Sequence, residues 1–332
     1  MGFFKDKQTG AKGKSVEALK SSRVARQQIK DRFGGIVPSS ILRQDRSLKP
    51  MDLIVRRQGG AYEGIRKVNR KNLGIGASDN YRGFEVSSGG SRYIVKSKGK
   101  KLGTLSLFPQ NVGRIMLELY SEPLDTVYDP FAGHNSRMEL TYSYKRNYIG
   151  VDISEKFMAA NNEVKEFLIN NTLFGSGAGT IELIVSDSKS VKGVKANTAD
   201  FSMTSPPYWD IEYYGDEAEQ LGNTKTYAEF LENLYAVIKE VHRILKPGKF
   251  CCWCINDFIK NKIFYAYHID VYALLVKAGF VPYFIYIVDL QSSLQQIFAS
   301  TVIAQKRLPK VHEYALVFKK PAEQMEIKRR KK

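Results

Sequence analysis

The chain has 332 residues, enough for one large domain and a smaller one. A hydrophobic content of 43% and an aromatic content of 12% exclude a disordered chain. No apolar run is long enough to span a bilayer or to form a secretory leader, so a soluble, cytoplasmic-type protein is expected. The net charge of +17 is unevenly placed: residues 1–104 carry 24 Lys and Arg against 8 Asp and Glu, residues 105–318 carry 20 against 24, and residues 319–332 carry 7 against 2. A near-neutral body with a strongly basic front and a short basic tail is the footprint of a polyanion partner, nucleic acid above all.

In chain order, residues 15–33 are compatible with a basic helix. Short strands are predicted at 82–86, 92–96 and 104–108, separated by Ser-Gly-Gly and Lys-Gly-Lys-Lys turns. A domain boundary is placed near residue 104. Beyond it, apolar runs at 126–129, 147–152, 181–186, 199–204, 249–255, 282–289 and 313–319 read as strands. Helical patterns at 109–121, 135–144, 154–170, 226–245 and 265–279 alternate with them. The helix near 226 opens on a capping box, Thr226 and Glu229, and is expected to stop at Lys246-Pro247-Gly248. This alternation predicts an α/β, doubly wound, largely parallel sheet whose ligands bind at the carboxyl ends of its strands. Cys251, Cys252 and Cys254 fall in one apolar strand, with Cys252 and Cys254 on one side, and read as buried reduced thiols. The four histidines show no zinc spacing with them, so no metal is expected. Residues 321–332 read as a disordered basic tail.

Two strand ends carry the chemistry. Thr204-Ser205-Pro206-Pro207-Tyr208 follows the run at 199–204. Proline cannot donate from its nitrogen, so Pro206 and Pro207 offer only carbonyl acceptors, while Ser205 adds an acceptor and Tyr208 a stacking face. A segment that accepts and stacks suits the exocyclic amine of a nucleobase. Upstream, Asp129-Pro130-Phe131-Ala132-Gly133 ends another strand and turns into a helix, where a doubly wound fold binds a nucleoside cofactor and an acid can take an ammonium group. Asp152 ends the next strand and is placed for ribose hydroxyls, and Asp187 ends the following one and is placed for an adenine amine. Each acid alone is equally a helix cap.

This ordered series resembles the S-adenosylmethionine-dependent amino-group DNA methyltransferases, which modify N4 of cytosine or N6 of adenine. Asp-Pro-Phe-Ala-Gly resembles their cofactor motif and Thr-Ser-Pro-Pro-Tyr their catalytic motif. Leu107-Phe108-Pro109 resembles the motif that packs against adenosine, and the segments 240–248 and 307–319 are similar to further landmarks. The resemblance spans about residues 105–320. It implies a Rossmann-like catalytic domain over 105–320, S-adenosyl-L-methionine as cofactor, double-stranded DNA as partner of the basic region 1–104, and a bacterial or phage-encoded restriction-modification type of enzyme. It also implies Ser205, Pro206, Pro207 and Tyr208 as catalytic residues. Phe108, Pro109, Asp129, Phe131, Ala132, Gly133, Asp152, Ile153, Asp187 and Thr204 are the implied cofactor contacts. Serine at the head of the catalytic motif favours N4 of cytosine over N6 of adenine.

Two departures accompany the resemblance. The family's cofactor loop continues Gly-Ser-Gly-Thr, whereas this chain continues Gly133-His134-Asn135-Ser136-Arg137, which removes a glycine where left-handed geometry is expected. No long recognition segment lies between Asp187 and Ser205, so target recognition is assigned to the basic N-terminal region. The loop 290–310 assists it, with Gln291, Gln295 and Gln296 for base edges and Lys306, Arg307 and Lys310 for phosphates. The alternatives are a catalytically decayed methyltransferase fold that binds DNA, and an RNA amino-group methyltransferase.

Overall fold

The structure is a computed structural model describing residues 24, 26–32, 39–44, 81–86, 92–97, 100–106, 108–170, 179–211, 217–290 and 299–322, with backbone alone for 81–106. The chain divides into two compact units, Met1–Ser39 and Ser40–Lys332. In the first, residues 26–32 are helical, within the basic helix predicted for 15–33. Gln27 there donates to Asp31 one turn later at 2.8 Å.

Strand pairing accounts for the division after Ser39. Strand β1 (Ile41–Arg43) runs parallel to β12 (Val281–Asp289), with Ile41 opposite Ile287, and forms an edge of the large sheet. A separate antiparallel sheet joins β2 (Tyr81–Val86), β3 (Arg92–Ser97) and β4 (Lys100–Ser106). Strand β4 begins at Lys100, ahead of the predicted Thr104, because Ser97 already pairs with Lys100.

The large sheet is eight-stranded, in the order β1-β12-β13-β9-β8-β5-β6-β7. Its remaining members are β5 (Thr126–Asp129), β6 (Asn147–Asp152), β7 (Ile181–Val185), β8 (Ala199–Thr204), β9 (Leu245–Ile255) and β13 (His312–Lys319). Every pairing is parallel except the two made by β13. Residues Asp129, Asp152, Thr204 and Ile255 therefore end their strands on one edge of the sheet.

Helices cover both faces, in order α1 (Gln110–Tyr120), α2 (Ser136–Ser143), α3 (Glu155–Asn170), α4 (Tyr227–Ile244), α5 (Tyr267–Lys277) and α6 (Ala299–Ala304). The capping box forms at α4, where Thr226 Oγ1 accepts from the Glu229 amide at 3.2 Å, while the Glu229 carboxylate accepts from the Lys225 amide at 3.1 Å. Its stripe of Phe230, Leu234, Val237, Ile238, Val241 and Ile244 is buried against Cys251, Trp253 and Ile255. Burial of six such side chains supplies more stability to this helix than its intrinsic propensity does. The helix passes straight into β9 at Leu245, so Lys246-Pro247-Gly248 lies inside the strand, with Gly248 taking the turn at φ +80°. On the other face Met138, Tyr142, Tyr148, Val164, Leu168 and Ile181 pack together. All three cysteines are free and buried, and burial pushes the Cys251 thiol up to about 12. Among the described residues no helix is long and apolar enough to cross a membrane.

Candidate active site

The turn after β5 is held from beneath by its own strand-end acid. Asp129 is fully buried. Its Oδ1 accepts from the Phe131 amide at 3.2 Å and from Thr204 Oγ1 at 2.8 Å. Its Oδ2 accepts from Arg137 Nε at 2.6 Å and from the Tyr148 hydroxyl at 2.9 Å. Both oxygens of the Asp129 carboxylate, expected to take a cofactor ammonium, are engaged within the protein, and the cation they face is Arg137. Burial works against the Arg137 charge, but Asp129 beside it raises its pKa overall. Arg137 also donates to the carbonyls of Phe131 and Ala132, so one side chain ties the whole turn to the first turn of α2.

Gly133 takes φ +50°, donates its amide to Asp152 Oδ2 at 2.8 Å and accepts from Asn161 Nδ2 at 2.9 Å. Asn135 adopts a right-handed conformation at φ −57°, so the second glycine that this chain lacks is not required by the turn. A Cβ on Gly133 would meet nothing nearer than the Phe131 carbonyl at 3.8 Å, which leaves only the backbone strain. Gly133→Ala is therefore expected to cost about 1–2 kcal/mol in urea denaturation without loss of the fold.

Asp152 accepts additionally from the Ser154 amide at 2.9 Å, and burial raises its carboxyl to about 6 against the lowering effect of those amide bonds. Ile153 beside it is partly exposed. Asp187 accepts from the Lys189 amide at 2.9 Å and pairs with the Lys189 ammonium at 3.3 Å, an arrangement that closes its own turn. Phe108 and Pro109 are buried ahead of α1, and the Phe108 ring lies under the Arg137 guanidinium at 5.3 Å. Burial lowers the His134 imidazole to about 4, with Arg137 adding to the shift, so this ring is neutral at physiological pH. Phe131 is partly exposed and Ala132 fully buried.

The second motif leaves β8 beside this turn. Thr204 is buried and reaches Asp129, Ser205 is partly exposed, Pro206 and Pro207 are buried, and Tyr208 is partly exposed. The Pro207 carbonyl accepts from Tyr267 at 3.0 Å, so of the two proline carbonyls expected to serve a ligand, that of Pro207 is already engaged. Tyr208 meets the Tyr267 ring edge-on at 5.9 Å. Trp209 then sits at φ +49°, buried, donating to the Thr224 carbonyl at 3.2 Å. A tryptophan in left-handed geometry persists only where its surroundings fix it, and here it ends the segment that presents Ser205 and Tyr208.

The family model described as DNA methylase, for N6 and N4 methylation, matches residues 93–163 and 199–332, more than half of the chain. The chain belongs to the N6/N4 DNA methylase family. Its methyl donor is accordingly S-adenosylmethionine, and its sheet is the Rossmann-like sheet of S-adenosylmethionine-dependent methyltransferases. Over 120 residues it is 31% identical to a type II beta methyltransferase, M.BslI, from Bacillus sp. (strain NEB-606), a match that takes in 36% of this chain. That match covers 12% of the Bacillus protein's length. Among solved structures, a SAM-dependent methyltransferase from Methanosarcina mazei aligns with a TM-score of 0.45 at 14% identity, over 66% of this chain and 100% of that one. A Thermus thermophilus protein complexed with S-adenosyl-L-methionine aligns with a TM-score of 0.32 at 25% identity, over 41% and 54% of the two chains.

Within this N6/N4 methylase fold, several site residues had no assigned role in the sequence reading. Arg137 is one. A cation in a helix's first turn opposes the helix dipole, which signals a nearby acid, but the sequence does not say which. Asp257, after β9, is another: it accepts from His268 Nδ1 at 2.6 Å and Lys310 Nζ at 3.1 Å, and these partners hold its carboxyl below its usual value despite burial. The His268 ring stacks on Tyr314 at 4.0 Å. Lys310, expected to contact phosphate, is instead committed to Asp257. Gln291, Gln295 and Gln296 lie outside the described residues, and part of the predicted loop 290–310 is the helix α6. Burial raises the Glu313 carboxyl to about 7, on the strand paired with β9.

Proposed function

We propose that the protein transfers a methyl group from S-adenosylmethionine to the exocyclic amine of a base drawn out of double-stranded DNA, N4 of cytosine ahead of N6 of adenine. The observation that carries this reading is the hydrogen bond between Thr204 and Asp129, which couples the segment suited to an amine to the turn suited to the donor.

The residues present suit that donor. Gly133 supplies the left-handed turn, Asp152 is placed to accept from ribose hydroxyls, and Asn135 Nδ2 is buried with no hydrogen-bond partner among the described residues. Phe108, Pro109, Phe131, Ala132, Ile153, Asp187 and Thr204 complete the proposed surroundings. When bound, S-adenosylmethionine supplies an electrophilic methyl group on a sulfonium sulfur. Tyr208 offers its face to the base. Ser205 and the Pro206 carbonyl accept from the amine, which localises the nitrogen lone pair for in-line attack. As the N–C bond forms and the C–S bond breaks, the amine sheds a proton past the partly exposed Ser205 to water. The basic region 1–104 is proposed to hold the duplex. Nucleoside analysis of DNA incubated with protein and donor tests the reading. N4-methylcytosine is expected, N6-methyladenine alone would change the base, and neither across varied duplexes would sink the activity.

The pair Arg137–Asp129 favours a second reading, a fold that binds DNA after losing donor affinity. Calorimetry with S-adenosylhomocysteine separates the two. On the catalytic reading its affinity increases from about pH 5 to pH 7, because hydroxyls donate to the ionised Asp152 and that carboxyl titrates near 6. The raised carboxyl stabilises the fold only while protonated, so this contribution is complete below its usual value of 3.8 and is lost as pH rises through about 6. Asp152→Asn is expected to flatten the affinity profile. A folded sample with no heat of binding at any pH supports decay.

A further inference from the structure

Immediately after β9 the chain reads Phe258-Ile259-Lys260-Asn261-Lys262-Ile263-Phe264-Tyr265, and it forms a tight hairpin of β10 (Phe258–Lys260) and β11 (Ile263–Tyr265). The two faces differ. Inward, Phe258 and Tyr265 stack at 5.0 Å and pack on the Tyr227 ring, which roots the hairpin in the core. Outward, the cross-strand pair Ile259 and Phe264 is 37% and 59% exposed, while Ile263, opposite Lys260 at the tip, is 57% exposed on the other face. One exposed apolar side chain is ordinary, but the cross-strand pair Ile259 and Phe264 on one face of a short hairpin forms a surface that a partner covers.

The tip carries an independent observation. Asn261 at φ +50° and Lys262 at φ +66° make a two-residue turn of the type whose second position glycine fills without strain. Lysine there is strained, and an outlier of this kind points to a use for the charge. Among the described residues Lys262 has no carboxylate partner, whereas Lys260 is paired with Asp210.

Position gives the hairpin its meaning. It leaves the edge of the sheet at which Ser205 stands, and the Lys260 ammonium lies 3.9 Å over the Trp209 ring. Trp209 and Asp210 directly follow Tyr208, so the hairpin is latched to the segment proposed to receive the target base. Drawing a base from a duplex leaves a gap in the stack and a distorted backbone. Apolar wedges fill such gaps and lysines hold such phosphates.

We propose that the β10–β11 hairpin engages duplex DNA at the extruded base, with Phe264 and Ile259 entering the vacated stack and Lys262 contacting an adjacent phosphate. The proposal rests on the base-extruding reading above. Charge complementarity at the tip favours a duplex over an apolar protein surface as occupant.

The test uses the full chain with a fluorescent mixed-sequence duplex, and plasmid DNA in native and heat-denatured forms. Lys262→Gly is expected to raise the thermal midpoint, weaken duplex binding and make the slope of log K against log salt shallower by about 0.9. Phe264→Ser, at an exposed site, is expected to fold and to lose about tenfold or more in methyl incorporation into native DNA, while denatured DNA reacts near the wild-type rate. Phe264→Leu is expected to retain most of the native-DNA rate. Equal losses on both DNA forms, an unchanged salt slope for Lys262→Gly, or an effect of Phe264→Ser confined to self-association would overturn the proposal. If the wild type transfers no methyl group, the methylation reading fails separately. The anisotropy arm then decides the hairpin, which stands if Lys262→Gly and Phe264→Ser weaken duplex binding and falls if they do not.

Discussion

Arg137→Met is expected to lower the stability of the fold by about 3–5 kcal/mol in urea denaturation, among the largest effects of any single substitution in this chain. The cause is the charge left behind. Asp129 is fully buried, and its two oxygens face Arg137, Tyr148, Thr204 and the Phe131 amide. The three neutral donors remain after the substitution, but no cation does, and an uncompensated carboxylate in that interior is costly. Asp129→Asn strands the opposite charge and is expected to cost a similar amount. The double variant, with neither charge, is expected to recover most of the loss, since a buried pair replaced by neutral groups of similar size is often nearly neutral overall. A double-mutant cycle in which the two losses simply add would show that Arg137 and Asp129 are not coupled. The consequence reaches the site, because Arg137 also binds the carbonyls of Phe131 and Ala132 and so sets the turn that leads to Gly133. A donor affinity that survived Arg137→Met unchanged would mean that the turn does not need this clamp.

What could be read from the sequence divides along physical lines. The strands at 126–129, 147–152 and 199–204 appear at their predicted bounds because strands buried on both faces have abrupt apolar edges. The helix α4 was readable because its cap and stripe are local. The hairpin at 258–265 was hidden: its turn is Asn-Lys rather than Asn-Gly, so the usual chemical mark is absent, and its inner residue Tyr265 falls at the start of the helix expected at 265–279. Strand β1 is three residues long, and its place beside Ile287–Asp289 is fixed by a pairing across most of the chain. The ion pair was hidden although its residues are close in the chain, because the acidic partner of Arg137 is identified only once β5 and α2 are packed. Position 135 illustrates the opposite error. The family pattern suggested that a glycine was needed there, yet Asn135 sits in ordinary right-handed geometry, and the loop tolerates the change.

Ser205→Ala is expected to reduce kcat about 10²–10³-fold while leaving the KM for DNA nearly unchanged, on the reading that its hydroxyl accepts from the amine as positive charge develops there. The geometry makes this a clean substitution. Ser205 is flanked by a buried Thr204 bound to Asp129 and by two buried prolines, so the backbone around it is fixed from both sides and should not move when the hydroxyl is removed. Tyr208 is expected to behave differently. Its ring sits edge-on to Tyr267, whose hydroxyl is held by the Pro207 carbonyl, so Tyr208→Phe keeps the stacking face and most of the rate. Tyr208→Ala removes a stacking contact worth about 1–3 kcal/mol per base and is expected to lose tenfold or more in kcat/KM. Bulk DNA binding should survive both changes, since it is assigned to the basic region and the hairpin rather than to Ser205 and Tyr208. Single-turnover methyl transfer and anisotropy with the same duplex read the two quantities separately. Full activity in Ser205→Ala would remove the amine acceptor from the mechanism. A Tyr208→Phe variant as impaired as Tyr208→Ala would mean that the phenol hydroxyl, not the ring face, is what the site uses.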